Sequence, residues 1–524
     1  MAVSPQLELA SQDVFPDEGF AEGAVVEGGT LTRDLDEAFD YVVVGSGAAG
    51  SVAAHTLAAA GHAVAIVEEG PWIKTRDFTV GVAQVFNNAI RDNGMQVTQG
   101  RNFIPVLQGR CVGGSTLINS AIAWRTPADV LADWRERFGL SITEEDLAPH
   151  FDALEADLSV RPVADEALGE NNRLFLEQCE KRGYAANRMR RYDAGCKGSG
   201  RCLQGCPSAA KRGMSVTYVP WALRLGARIF ASCRAERVSI RGGRAVGLVA
   251  RAASGRQVSL RARYGVFVAA STIQSPNLLH RSGIRGKALG QHFQTHPGVG
   301  MGGLFDRPIG MSFGATQGAE CTHFRKTERF KLETISMPPE LAAARMTGVG
   351  LALEDRLAKL GNVAVWVAQI RAHAQGSVTP GWFGRDSIRY SLGEDDVRIV
   401  RKALVTLAEL LFDAGAREVW PGVHGLPTKL TGHDDVRLLR EGPLDPRAYS
   451  FVATHLFGAA RMGPSPADSV VDPGFCVHGT ERLWVVDSSV FPTNLGVNPQ
   501  HSIMAMSRFC ASKVAEQTRG FAAA

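Results

Sequence analysis

The stretch FDYVVVGSGAAGSVAAHTLAAAGHAVAIVEEG, residues 39–70, leaves a folding chain little choice. Its first apolar run has no polar alternation, as suits a strand buried on both faces. The turn Gly45-x-Gly47-x-x-Gly50 then opens an alanine-rich helical segment, and a second apolar run ends at Glu68. This is a βαβ unit. Gly45, Gly47 and Gly50 permit a tight turn, close approach of backbone to a pyrophosphate, and packing of helix on sheet. The first N–H groups of the helix present partial positive charge to that anion. Glu68, 23 residues after Gly45, is placed to accept the hydroxyls of a ribose and to repel a 2′-phosphate. A doubly wound α/β sheet binding a dinucleotide follows, with FAD and NAD both open.

At 524 residues the chain exceeds the roughly 250–300 at which a single core stops growing, so two or more cores are expected. Segment 227–271 alternates apolar and polar residues between glycine turns, and 363–380 and 386–393 read as further strands. Residues 394–416, EDDVRIVRKALVTLAELLFDAGA, carry apolar residues at helical spacing, acids in the first turn and a glycine near the end. A second layered domain built on an antiparallel sheet is therefore expected. Net charge is only +4 and no basic run is interleaved with aromatics, which argues against nucleic acid. No segment is apolar enough for a membrane span. The first 36 residues hold eight acids and one base, Arg33, without the pattern of a secretory signal, so a cytoplasmic location is expected.

Cys196, Cys202 and Cys206 fall within eleven residues, in GCKGSGRCLQGCPSAAKRG (195–213). A reducing compartment argues against a disulfide knot, leaving a metal site or a loop of quiet thiols.

Several segments resemble the glucose-methanol-choline (GMC) flavin oxidoreductases. GRCVGGSTLINSAIAWRTP (109–127) and STIQSPNLLHRSGIR (271–285) are similar to the two signature segments of that family. THLFGAARMG (454–463) and LWVVDSSVFPTNLGVNPQHSIMAMS (483–507) are similar to its C-terminal catalytic and flavin-binding segments, and LGQHFQTHP (289–297) and QGSVTP (375–380) to further landmarks. The resemblance implies a Rossmann-like FAD-binding domain, 38–130, 227–304 and 441–524, interleaved with an α+β substrate-binding domain, 131–226 and 305–440, after an acidic lead, 1–37. It implies FAD contacts from Gly113, Gly114, Ser115 and Asn119 at the pyrophosphate and flavin edge. Asp487 would hold the ribityl or pyrophosphate region, Asn498 and Pro499 the flavin pyrimidine edge, and Val238 the adenine. Where some members attach FAD through a histidine, this chain has Ile118, so dissociable FAD is expected. Arg285 replaces the closing glycine of the second signature.

Oxidising an alcohol removes the hydroxyl proton and passes a hydride from the same carbon to flavin N5. Histidine suits proton removal near neutral pH. The resemblance assigns that role to His455, with Asn498 holding the oxygen and His501 a less direct neighbour. The product would be an aldehyde or ketone, and sugars, polyols, aminocyclitols, long-chain alcohols and sterols all remain open as substrates. Reoxidation falls to oxygen or an unidentified acceptor. Cys196, Cys202 and Cys206 also resemble the 3Fe-4S segment of bacterial FAD-dependent glucose dehydrogenases, though Lys197 stands where those carry another cysteine. A cluster would make the chain a dehydrogenase subunit exporting electrons to a partner. The same scaffold also supports lyases.

Overall fold

The computed structural model describes residues 15–518 apart from 79–80, 345 and 382–384. The two apolar runs of the opening motif become adjacent parallel strands, Leu35–Val44 and Val64–Val67, joined by the helix Ala48–Ala59. They sit in an eight-stranded sheet whose order runs Val25–Glu27, Arg228–Ala231, Val64–Val67, Leu35–Val44, Gln257–Val268, Arg244–Ala252, Cys233–Arg241. The short strand Leu483–Val485 adds in parallel to Gln257–Val268 and delivers Asp487 to the same end of the sheet as the glycine turn. Residues 41–44 and 64–67 are all buried, so the sheet is covered on both faces, as a parallel sheet must be. The helix Ala48–Ala59 packs on the C-terminal helix Gln500–Thr518.

Two segments of the acidic lead, Val25–Glu27 and the residues from Leu35 on, are part of this sheet. Val25–Glu27 pairs with Arg228–Ala231 as an edge strand, and Leu35 already belongs to the strand that ends at the glycine turn.

The second sheet has nine strands and is antiparallel. Its order is Asp386–Arg389, Gly376–Pro380, Gln291–Leu304, Val363–Ile370, Phe330–Thr334, Ala319–Cys321, Ala186–Arg188, and both Glu418–Trp420 and Val452–Phe457 pair with Gln291–Leu304. The helix Glu394–Asp413 covers this sheet with Val397, Val400, Leu404, Leu407 and Leu411 buried. Two separate cores result, one around each sheet. The strands Gln291–Leu304 and Val452–Phe457, placed by the sequence boundaries in the nucleotide domain, thus belong to the second sheet. The strand Val452–Phe457 of the second sheet and the segment after Leu483–Val485 of the first carry His455, Asp487 and Asn498 to the lining of one cavity.

Candidate active site

One cavity of about 630 Å³ runs along that seam, from the glycine turn of the first sheet to an apolar end under the second. At the nucleotide end the glycines do what their positions require. Gly45 has φ of +95°, and a Cβ there would lie 2.3 Å from the Ala269 carbonyl oxygen. A Cβ on Gly50 would lie 1.9 Å from the Gly45 oxygen, so only glycine lets the helix start this close to the turn. Gly47 and Gly114 face each other across the crevice, a Cβ on Gly114 standing 3.0 Å from the Gly47 Cα. Gly113, at φ +91°, donates its N–H to Ser46 Oγ and sits behind this lining.

Glu68 is buried beside the turn and accepts from the N–H and hydroxyl of Ser46 and from the N–H of Gly70. Burial raises its pKa, against the pull of those hydrogen bonds. Asp487 is also buried, and burial raises its pKa too. It accepts from Ser271 N–H at 3.0 Å, from Ser489 N–H at 2.9 Å and from the Ser275 hydroxyl. Ser115 and Asn119 both line the cavity. Ser115 Oγ accepts from Gly109 N–H, while Asn119 donates to Gln500 and accepts from Ala121 N–H. Val238 does not line the cavity. It is buried in its strand with its N–H bonded to Ser282 Oγ, and Arg234 and Ala235 of the same strand reach the crevice instead. Ile118 lines the cavity as a hydrocarbon side chain with no nucleophile.

The same cavity is lined by His455, from Val452–Phe457, and by Asn498 and Pro499, which precede the helix Gln500–Thr518. Burial pushes the pKa of His455 down to about 4, with Glu333 pulling it up and Lys331 pushing it down, so the ring is neutral at pH 7. Its Nδ1 lies 3.3 Å from Nδ1 of His296, a residue the sequence did not single out. Gly496 N–H donates to Nε2 of His296 at 2.9 Å. Neutral His296 therefore carries its proton on Nδ1 and offers it to His455, which leaves the proton of His455 on Nε2. Asn498 Oδ1 accepts from the Lys331 ammonium at 2.7 Å, and Lys331 is flanked by Glu320 at 2.6 Å and Glu333 at 2.8 Å. Beyond this polar waist the wall becomes hydrocarbon, with Ile335, Met337, Leu341, Val363, Val365 and Trp420.

His501 is not at the site. Its ring is buried against Phe151 and Tyr192, and its Nε2 lies 3.4 Å from Glu155. Arg285 turns its guanidinium onto the carbonyls of His280 and Ile284, while Gly283 takes the positive φ of the turn.

The three clustered cysteines are free thiols, and among the described residues no group of three or more His, Cys, Asp or Glu is gathered to hold a metal. Cys202 instead accepts from the fully buried Arg191 guanidinium at 3.2 Å, and Cys206 from Lys211 N–H at 3.3 Å. A cation pressed against the thiol takes the place a metal would need. The 3Fe-4S expectation does not fit this loop.

Family models described as GMC oxidoreductase match residues 39–298 and 374–507. An uncharacterised GMC-type oxidoreductase of Mycobacterium tuberculosis is 35% identical over 482 residues, covering 91% of this chain and 75% of the relative. A long-chain-alcohol oxidase of Arabidopsis thaliana is 27% identical over 495 residues, covering 89% of this chain and 67% of the relative. Formate oxidase of Aspergillus oryzae RIB40 superposes with a TM-score of 0.72 at 17% identity, covering 94% of this chain and 100% of the other.

Proposed function

This chain belongs to the GMC oxidoreductase family, and on that premise we propose that it oxidises the CH–OH group of an alcohol with a long apolar chain, using dissociable FAD. The observation that carries the reading is the sequence of surfaces along one cavity: a glycine-lined nucleotide crevice, a waist of His455 and Asn498, and a hydrocarbon end.

The residues present fit FAD. Gly47 and Gly114 leave a gap that side chains would fill, Glu68 would hold the ribose, and Asp487 and Ser271, which line the same cavity, would hold the pyrophosphate or ribityl region. Ile118 supports a dissociable rather than attached cofactor. Bound FAD supplies the acceptor for the hydride.

The chain's own residues bind the alcohol and manage its proton. In the order set by Gly496, His455 Nε2–H and Asn498 Nδ2–H both donate to the alcohol oxygen and hold its carbon toward the crevice. To take the hydroxyl proton, His455 must hold its own proton on Nδ1, facing His296. His296 then moves its proton to Nε2 and gives up the Gly496 N–H. The His296–His455 pair thus has a binding order and a proton-accepting order, and oxidation proceeds from the second.

The hydrocarbon end supports a long-chain substrate over the sugars, polyols and aminocyclitols the sequence left open, since those need several polar partners in the wall. Likeness to long-chain-alcohol oxidases supports the same substrate and favours oxygen as the acceptor that closes the cycle. Anaerobic mixing of the yellow holoprotein with straight-chain alcohols from butanol to hexadecanol tests the reading. Bleaching by the longer members is expected, and a flavin that stays oxidised with all of them sinks it.

A further inference from the structure

Among the described residues that line or touch the waist, the largest concentration of buried charge is not used by the chemistry above. Lys331, on the strand Phe330–Thr334, has a side chain with no exposed surface, and its ammonium meets three acceptors: Glu320 Oε2 at 2.6 Å, Asn498 Oδ1 at 2.7 Å and Glu333 Oε1 at 2.8 Å. The ammonium is thus ion-paired to two carboxylates and donates a hydrogen bond to the Asn498 oxygen. Both carboxylates are held in turn. Trp124 Nε1–H donates to Glu320 at 2.7 Å, and the Gln317 and Gln369 amides donate to Glu333, Gln369 at 2.7 Å. Such a cluster is costly to bury and adds little net stability, so its presence beside a reacting centre calls for a reason.

An ammonium only donates. Asn498 must therefore turn Oδ1 to Lys331, which leaves its Nδ2–H pair for another acceptor, and Asn498 lines the cavity. Were the amide flipped, its oxygen would face the negative charge that develops on the substrate oxygen and repel it. We propose that Lys331 is a positioning residue, which locks the Asn498 amide so that Nδ2–H is permanently presented to the substrate oxygen, with Glu320 and Glu333 fixing the ammonium in place. The inference rests on the reading of Asn498 as the group that holds that oxygen. It adds a requirement for a buried cation behind it.

The test is a double-mutant cycle on FAD-loaded enzyme, read as the limiting rate of anaerobic flavin reduction and, separately, the alcohol concentration at half-saturation, using whichever straight-chain alcohol reduces the unmodified enzyme fastest. Lys331→Met should slow the limiting rate by about tenfold to a hundredfold, the effect of misplacing one group by about an ångström. It should raise the half-saturating concentration only a few-fold. In an Asn498→Ala background the same change should cost less than about threefold, because the residue it positions is gone. Equal losses in both backgrounds would mean a structural role and overturn the proposal. Asn498→Ala with an unchanged limiting rate would overturn it differently, by removing the reading on which it rests.

Lys331→Met leaves two buried carboxylates without their cation, which works against recovery of folded, FAD-loaded protein. Lys331→Met with Glu320→Gln keeps the net charge of the cluster while still removing the ammonium. That pair should show the same loss of limiting rate and the same non-additivity with Asn498→Ala. A limiting rate like that of the unmodified enzyme in this variant would overturn the proposal.

Discussion

Nδ1 of His296 lies 3.3 Å from Nδ1 of His455, and the backbone N–H of Gly496 decides which ring donates. Because burial holds His455 near 4, the ring stays neutral through the ordinary range. The rate of flavin reduction should accordingly be flat from about pH 8 to 5 and fall only as His455 is protonated toward 4. A stopped-flow pH profile checks this, and a limb near 6.5 would mean a base in contact with water. His296→Leu removes the ring that faces His455 Nδ1. In the proton-accepting order that ring is the acceptor which holds the His455 proton on Nδ1, so its loss should lower the limiting rate about tenfold or more, whereas a ring that served only as packing would leave it unchanged.

Depressed histidines also set the acid stability. His455 is held at about 4 against an ordinary 6.5, so the folded state prefers the neutral ring. Its contribution is full above about 6.5 and is lost as pH falls toward 4. The melting temperature should therefore drop across that window, and His455→Gln should drop less steeply. Parallel curves for the two proteins would count against a buried, neutral His455.

Along the hydrocarbon end each added methylene should be worth up to about 0.8 kcal/mol, about fourfold in kcat/KM, until the alcohol fills the arm. Val365 lines that arm from the strand Val363–Ile370. Val365→Phe should cut kcat/KM for the longest alcohols and spare the short ones. A uniform loss at every chain length would place the tail elsewhere.

Gly114 has φ of +53° and faces Gly47 across the nucleotide crevice. Gly114→Ala should fold yet purify with little flavin, because its methyl occupies the gap and its backbone is strained. Full flavin content at unchanged affinity would show that the gap is not part of the cofactor site.

How much of this was legible in the sequence depends on distance along the chain. The turn at Gly45, Gly47 and Gly50 and the acid at Glu68 are local, and local pattern gave the crevice. The helix Glu394–Asp413 was equally plain, because periodicity and acidic first turn agree. Gln291–Leu304 was hidden, since a strand containing Pro297 and four glycines breaks every propensity rule. The glycines are there for packing: a Cβ on Gly300 would come 2.7 Å from Val367, and one on Gly303 would come 2.7 Å from Leu411 of the covering helix. Lys331 was invisible for a different reason. A lysine in a strand reads as solvated, and the partners that explain its burial include Asn498, 167 residues away.

The cysteine loop carries the last prediction. Burial pushes the Cys202 thiol up, but Arg191 and Lys211 pull it further down, to about 7 from an ordinary 9, so the thiolate pairs with a guanidinium whose other anionic neighbour, Asp193, stands 4.0 Å away. An acid held below its ordinary value stabilises the fold fully above about 9 and loses that contribution as pH falls through 7. Lys211, buried and held at about 8 below its ordinary 10.5, changes stability in the same direction, because the folded state gains as the ammonium is lost. Between pH 7 and 9 the protein should therefore grow more stable, and Cys202→Ser should flatten that rise, since a serine hydroxyl does not ionise there. Denaturant midpoints at several pH values check it. Flavin content and flavin reduction should stay near those of the unmodified protein in the same variant, and iron should be below one equivalent in both. A Cys202→Ser protein that keeps the full pH rise would show that Arg191 is balanced by some other group.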